Sequence, residues 1–301
     1  ASISIPNGVT SIGTSSFSNC TDLISVTLPN GLTSIGNNAF YNCIDLTSIT
    51  LPESVKYIGD DAFIYCYKLK EVYNKSELDI IAGNVDNGYV AYYAESVCLD
   101  EEEESKLHVV DDFVFYVDGD RVELLAYNGK ENILQLPLDY EGKKYIIANY
   151  AFRNNNSITN VTLLGGVTQI GDWSFSGCGG LTGITCNSTT PPVILSSGTF
   201  YGVDKSIPIY VPAESVEAYK SADYWKDFAN IQAIVGDDSP ILDIDEAKMV
   251  IRVINNSIIV DGASQYAIYD ISGKKLGMVG SLERGVYIVV ADGISRKVVI
   301  R

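Results

Sequence analysis

The sequence predicts a solenoid of parallel strands stacked at a 23-residue period, mostly β with few short helices, followed by a small all-β sandwich. Three observations carry that prediction. Ile12, Ile35 and Ile58 are spaced by 23 residues, and the same step separates Phe17, Phe40 and Phe63, then Cys20, Cys43 and Cys66, then Leu23, Leu46 and Leu69. The phrase returns at Ile147–Phe152 and Ile170–Ile184, again 23 residues apart, with a looser copy ending at Phe200. Past the turn-forming stretch Gly236–Pro240 the period is gone, and short alternating runs replace it. A period in this range marks one supersecondary unit per repeat, with the periodic residues pointing inward onto their counterparts in the turns above and below.

One turn cannot fold alone. It offers Ile35, Phe40, Leu46, Ile49 and Leu51 as large apolar side chains against the ordering entropy of a whole repeat, and neighbouring turns supply the difference. Val26 and Leu28, or Ile49 and Leu51, alternate with outward-facing Thr27 or Thr50, the pattern of a short half-buried strand. Strands of successive turns then pair in parallel, about 4.7–4.9 Å apart. Pro29 and Pro52 end the strand because proline has no N–H for a ladder, and Asn30-Gly31 makes the bend.

Leu28, Pro29, Ile35, Gly36, Ala39, Phe40, Cys43, Leu46 and Ile49 are nearly repeated by Leu51, Pro52, Ile58, Gly59, Ala62, Phe63, Cys66, Leu69 and Val72. The pattern they spell resembles the BspA-like leucine-rich repeat family of bacterial surface proteins, over most of residues 1–233. The resemblance implies a leucine-rich-repeat solenoid on a secreted or outer-cell-surface protein, one that mediates protein–protein adhesion to host matrix or other cells through an extracellular protein ligand. Ala148 stands where the pattern has glycine, Asn155 where it has cysteine, and Trp173-Ser174 in the aspartate-alanine neighbourhood. The second array is therefore expected to be less regular.

Taken in order, residues 1–99 form a first array with an irregular closing segment. The period breaks at Asn74, and Ala91 and Ala94 with Tyr89, Tyr92 and Tyr93 permit a short helix within Asn87–Val97, where arrays of this family often carry one. Asp100 to Glu104 is a run of carboxylates. A calcium site would need a shaped loop to aim several of them at one ion, so a solvated charge run is the better reading. Residues 107–234 open as strands with turn signals at Asp118-Gly119 and Asn128-Gly129. This resembles the atypical opening unit of such arrays and re-seeds the stack, as one bent solenoid with the first array or as two abutting ones. Within Ile207–Ile234, a strand over Ile209 and Val211 precedes Pro212 and a helix with Val216, Tyr219 and Trp225 as its apolar stripe. It caps the open end of the stack. Residues 235–241 read as a linker. In 242–301, runs at Val250–Ile254, Ser257–Val260, Tyr266–Ile271, Val286–Val290 and Lys297–Ile300 predict the β-sandwich. Tyr269–Leu276 and Glu283–Arg301 resemble the C-terminal sorting domain of type IX secretion substrates, which implies attachment or sorting.

Composition narrows the partners. Among 301 residues there are 26 glycines, 20 tyrosines and nine phenylalanines, which fits a turn-rich β protein. The formal charge is −17 with only 21 lysines and arginines; phosphate binding needs clustered cations, so nucleic acid and an anionic membrane surface are both disfavoured. No apolar run approaches the roughly 18 residues of a membrane-spanning helix, and no membrane insertion is expected. The chain opens in mid-repeat, with Ile3 and Ile5 already in strand phase. Together with the family resemblance this implies a trimmed or mature form whose export sequence lies upstream.

Constellations that carry chemistry are nearly absent. His108 is the single histidine, which removes most triads and histidine-based metal sites. No Gly-x-Ser-x-Gly elbow, phosphate loop or dinucleotide fingerprint occurs, and Gly177-Cys178-Gly179-Gly180 lacks a strand and helix in the right order. Asp118-x-Asp120 and Asp243-x-Asp245 could pair carboxylates, but the first belongs to a hairpin turn and the second to a linker edge. Cys98, Cys178 and Cys186 lack Cys-x-x-Cys spacing. The column Cys20, Cys43, Cys66 reads as free thiols, because parallel stacked side chains rarely reach disulfide geometry. The sequence names no catalytic residue, no metal and no cofactor, and an enzyme is not expected.

Binding is the better reading. Outward strand positions Ser25, Thr27, Ser48, Thr50, Glu71, Tyr73, Asn160 and Thr162 line an extended surface of the kind repeat proteins use for recognition, although threonine neighbours also suit a solvated sheet face. Tyr41, Tyr57, Tyr65 and Tyr67 fall outside the inward positions and make a second surface, tyrosine being enriched among interface hot spots. Thr27, Thr50, Tyr73, Thr162, Tyr41, Tyr65 and Tyr67 are thus the candidate binding residues. Two rivals stand beside this reading: a structural spacer that displays or anchors the C-terminal sandwich, and a glycan-binding accessory with flat exposed tyrosines in a groove.

Overall fold

The 23-residue step becomes a hydrogen-bonded parallel-strand solenoid in a computed structural model that describes residues 1–98, 105–234, 242–243, 250–254, 257–261, 266–270, 275–276, 282, 285–291 and 294–300. The acidic run 100–104, the stretch 235–241 expected to be a linker, and Asp245 lie outside the described residues. Two compact units result: residues 1–118 with 125–128 and 149–151, and residues 119–124 with 129–148 and 152–301.

In the first unit each repeat contributes two short strands. Ser11–Ile12, Ser34–Ile35 and Tyr57–Ile58 pair in parallel, Ile12 beside Ile35 beside Ile58. Ser48–Leu51, Glu71–Asn74 and Ser96–Cys98 form another parallel sheet, and Ser2–Ser4 pairs with Ser25–Thr27. Register follows the period because a slip of one residue would turn every inward side chain outward. Between the strands runs a hydrogen-bonded corner, in which the Phe17 and Phe40 N–H groups donate to the Ala39 and Ala62 carbonyls at 2.8 Å. The corner needs left-handed backbone twice per turn: Ser15 and Asn19 (φ 56° and 61°), Asn38 and Asn42 (53° and 58°), Asp61 and Tyr65 (55° and 65°). Asparagine and aspartate tolerate that region, and tyrosine does not do so readily.

Like packs on like along the stack. Leu46, Leu69, Phe40 and Phe63 are fully buried, and the rings of Phe17, Phe40 and Phe63 stack at 5.2 and 5.1 Å between centroids. The glycine after each isoleucine has a steric cause: a Cβ at Gly36 would stand 2.8 Å from the Gly13 backbone, and one at Gly59 2.6 Å from Asn37 N. Every described cysteine is a free thiol. The Cys43 and Cys66 S–H groups donate to the Phe17 and Phe40 carbonyls at 3.2 Å, so the column satisfies corner carbonyls of the preceding turns.

Over Asn87–Val97 the structure holds a single 3-10 turn, Asn87–Tyr89, rather than a longer helix. Gly88 has φ 64°, and a Cβ there would run into the Gly59 carbonyl oxygen. Close docking of this backbone on the third turn, with Phe63 N–H donating to Gly88 O at 2.7 Å, is incompatible with continued right-handed helix. Val90 and Ala91 are buried below it, so the segment acts as a fourth turn. Leu107–Val110 and Phe113–Asp118 add an antiparallel hairpin.

The second unit contains a five-stranded parallel sheet of Ile133–Gln135, Asn160–Leu163, Gly183–Cys186, Pro208–Val211 and Asn230–Ala233. A further parallel run joins Glu123 and Leu124 to Tyr145–Ile147, Val167–Ile170 and Val193–Ile194. Phe152, Phe175 and Phe200 stack at 4.9 and 5.3 Å, and Tyr219, Trp225 and Phe228 close the column beyond Phe200. The helix expected after Pro212 is Val216–Ser221. Trp225 sits outside it, in the 3-10 turn Trp225–Asp227, because Ala222 is extended and Tyr224 left-handed (φ 63°); its indole N–H donates to Pro192 O at 2.8 Å. Toward the C-terminus the strands become antiparallel, three in one sheet and four in another. Ile258 and Val260 of the first and Ile268, Val289 and Val298 of the second share one apolar core.

Candidate interaction surfaces

The outward strand face is real but uneven. Thr27 is exposed beside Ser4, and Thr50 is half-buried beside Tyr73. Tyr73 is less available than its position implies. Its hydroxyl donates to Glu71 Oε2 at 2.7 Å, and the same buried carboxylate accepts from Ser105 Oγ at 2.9 Å and from the Lys106 N–H at 2.6 Å. Burial, and then the Glu71 hydrogen bond, push the Tyr73 phenol up to about 12. In the second unit Thr162 lies in a column of half-buried side chains, Gln135, Thr162, Thr185, Tyr210 and Gln232, each paired with the next. Gln135 Nε2 donates to Tyr266 Oη at 3.0 Å. Of the other members, Thr185 is one 23-residue period from Thr162 and legible as its copy, whereas Gln135, Tyr210 and Gln232 are joined to the column by strand register alone.

Tyr41, Tyr65 and Tyr67 come together at the corner of the first unit. Tyr41 meets Tyr65 edge-on at 5.3 Å, Tyr65 meets Tyr67 at 5.7 Å, and Tyr67 meets Tyr93 edge-on at 5.2 Å. Tyr93, Tyr92 and Tyr89 continue the chain of rings at 4.8 and 5.5 Å. Tyr150 stacks flat on Tyr67 at 3.7 Å, brought there by buried Lys68, whose ammonium donates to Ala151 O and to Asp45 Oδ1 at 2.8 Å each. Seven rings thus form one continuous aromatic surface, with Tyr65 and Tyr92 the most exposed at 37% and 43%. Burial pushes the Tyr93 phenol well up, against a hydrogen bond to the Tyr65 backbone that pulls it down. The sequence pointed to Tyr41, Tyr65 and Tyr67; it missed Tyr89, Tyr92 and Tyr93 because no spacing relates them to the repeat, and Tyr150 because, although it holds the left-handed position of Asn38 and Asp61 in its own copy of the phrase, nothing in the sequence brings that copy against Tyr67.

A smaller aromatic group lies on the second unit, where Trp173 (φ 55°) and Tyr201, 66% exposed, approach to 5.6 Å, with the Arg153 guanidinium 5.7 Å over the indole. The sequence's candidate acid pair is otherwise engaged: Asp118 pairs with Lys106 at 3.0 Å and Asp120 with Lys143 at 3.3 Å. Among the described residues no group of three or more histidines, cysteines, aspartates or glutamates could hold a metal ion, and no helix is long and apolar enough to cross a membrane.

A family model described as BspA type leucine rich repeat region matches residues 1–85 and 138–234, in six copies. Among solved structures, a leucine rich cell surface protein from Faecalibacterium prausnitzii A2-165 is 21% identical, with 78% of this chain and 60% of that chain covered and a TM-score of 0.32. The pneumococcal vaccine antigen PcpA is 17% identical over 77% of this chain and 78% of its own, with a TM-score of 0.29. A leucine-rich repeat protein from Bacteroides ovatus ATCC 8483 is 22% identical over 77% of each chain, with a TM-score of 0.24. The chain thus spans 60% of the length of the Faecalibacterium protein. No curated protein matches it.

Proposed function

The chain belongs to the BspA type leucine-rich repeat family, and from that premise we propose that it is a secreted or cell-surface interaction module that adheres to an extracellular protein, of host matrix or of other cells, through its repeat portion. In this reading residues 1–99 and 107–234 present the binding surface, 235–241 is a linker, and 242–301 serves attachment or sorting. The observation that carries the proposal is the run of tyrosine rings around Tyr65. Tyr65 occupies a left-handed position that Asn19 and Asn42 fill in the two preceding turns. A bulky residue held there is strained, and strain kept at an exposed site is supporting ground for a functional role. Tyrosine is also the side chain that supplies most contact area for little lost rotamer freedom.

The test is an array of extracellular-matrix proteins and glycans probed with the full chain at physiological salt. Saturable binding to a protein, weakened about tenfold or more by Tyr41→Ala with Tyr92→Ala, is the expected result. Binding to glycans alone would replace the protein ligand by a carbohydrate. No binding above background would leave the spacer role as the better account.

A further inference from the structure

A cleft of about 470 Å³ lies in the first unit between the corner of the third turn and the inserted segment that closes it. Its walls include Tyr57 and Val85, 53% and 48% exposed, together with half-buried Leu78 and Tyr89. Asp60, Asp61 and Asp86 line the same cleft. The lysine among its lining residues, Lys56, is paired with Glu77 at 2.8 Å. Asp86 accepts from Asn84 Nδ2 at 2.9 Å, and among the described residues no side chain pairs with the carboxylate of Asp60 or Asp61.

The fold does not require these charges. Asp60-Asp61 stand where Asn37-Asn38 stand one turn earlier and Thr14-Ser15 two turns earlier. Asn38 and Asp61 share the same left-handed backbone, φ 53° and 55°. On an open surface such carboxylates would be a solvated face. Here they share with two tyrosines and two aliphatic side chains a concavity within the roughly 300–1,000 Å³ typical of ligand sites.

We propose that this cleft receives a protruding arginine or lysine side chain of a protein partner. The alkyl stem packs on Val85 and Leu78, and the cationic head lies among the aspartates with the rings of Tyr57 and Tyr89 beside it. An anion is repelled, and a neutral sugar leaves the carboxylates uncompensated. The formal charge of −17 acts in the same sense at longer range, drawing a basic partner toward the chain. The proposal rests on the interaction-module reading and names the chemistry of its partner.

Acetyl-Gly-Arg-Gly-amide and acetyl-Gly-Lys-Gly-amide, with acetyl-Gly-Gln-Gly-amide and a panel of neutral sugars as controls, are titrated into the isotope-labelled full chain and followed by amide chemical shifts. The basic peptides are expected to move residues 57–61 and 85–89, the controls are not, and the apparent affinity falls about tenfold in Asp60→Asn/Asp61→Asn. That variant restores the asparagine pair of the preceding turn, so its fold is kept. No response to the basic peptides, an equal response to glutamine or sugar, or an unchanged response in the variant overturns the proposal. The variant is also run on the matrix-protein array. Retained binding there overturns the proposal while the module reading stands; absence of any array partner overturns the module reading, and with it the protein source of the cation.

Discussion

At Tyr65 two residue-scale terms oppose each other. Left-handed backbone under a bulky side chain costs of order 1–3 kcal/mol, and ring contacts with Tyr41 and Tyr67 offset about 0.5–1.5 kcal/mol each. Tyr65→Asn, which adopts the residue of the two preceding turns, is therefore expected to change unfolding free energy by no more than about 1 kcal/mol while weakening ligand binding. Urea unfolding beside the array assay checks both, and a loss above about 2 kcal/mol would make Tyr65 a packing residue instead. The cysteines give a second prediction at this scale. Cys20 is exposed and the other five are buried, and burial pushes the Cys43 and Cys178 thiols up to about 12. The thiolate is the nucleophile, so the native chain should take up one equivalent of iodoacetamide, at Cys20, by intact-mass and peptide-mass spectrometry. Labelling of several cysteines without denaturant would mean that the stack opens.

At the scale of the element, the inserted segment around Gly88 decides whether the first unit is closed and whether the cleft has its second wall. Gly88 and Gly83 both hold positive φ, 64° and 78°. They differ in surroundings: a Cβ at Gly83 meets nothing within 4 Å, whereas one at Gly88 would collide with Gly59 O and stand 2.9 Å from the Ala62 Cβ. Gly83→Ala should cost about 1 kcal/mol of backbone strain, and Gly88→Ala clearly more. Thermal unfolding of the two variants measures the difference, and equal losses would show that the docking of this segment contributes nothing. The short helix expected here reduces to a 3-10 turn for the same reason, because close approach of two backbones overrides helix propensity.

For the whole molecule, buried phenols set the pH range of stability. Tyr73 is pushed up to about 12, and burial raises Tyr93, Tyr145 and Tyr219 as well. A group whose folded value lies above its ordinary 10.0 contributes stability that is fully present below pH 10 and is lost as pH rises toward the folded value, since the unfolded chain releases the proton first. The buried thiols, ordinarily at 9.0, add to the same trend from lower pH. Melting temperatures should be level from neutrality to about pH 9 and fall through pH 10 to 12. A flat profile over that interval would contradict the burial of these hydroxyls.

What the period reaches was determined by the sequence alone: the strand pairing of Ile12, Ile35 and Ile58, the stacked phenylalanines and the column of free thiols. In a stack each residue meets its own copy one turn away, so linear spacing is already a contact map. Only the tertiary structure decided the rest. Tyr150 on Tyr67, the commitment of the Tyr73 hydroxyl to Glu71 under Ser105 and Lys106, and the cleft joining Asp60 and Asp61 to Asp86 bring together positions that no multiple of the period relates. Such contacts depend on where stretches that are not successive turns come to rest against one another, which is settled by burial and backbone sterics rather than by any pattern local to the chain.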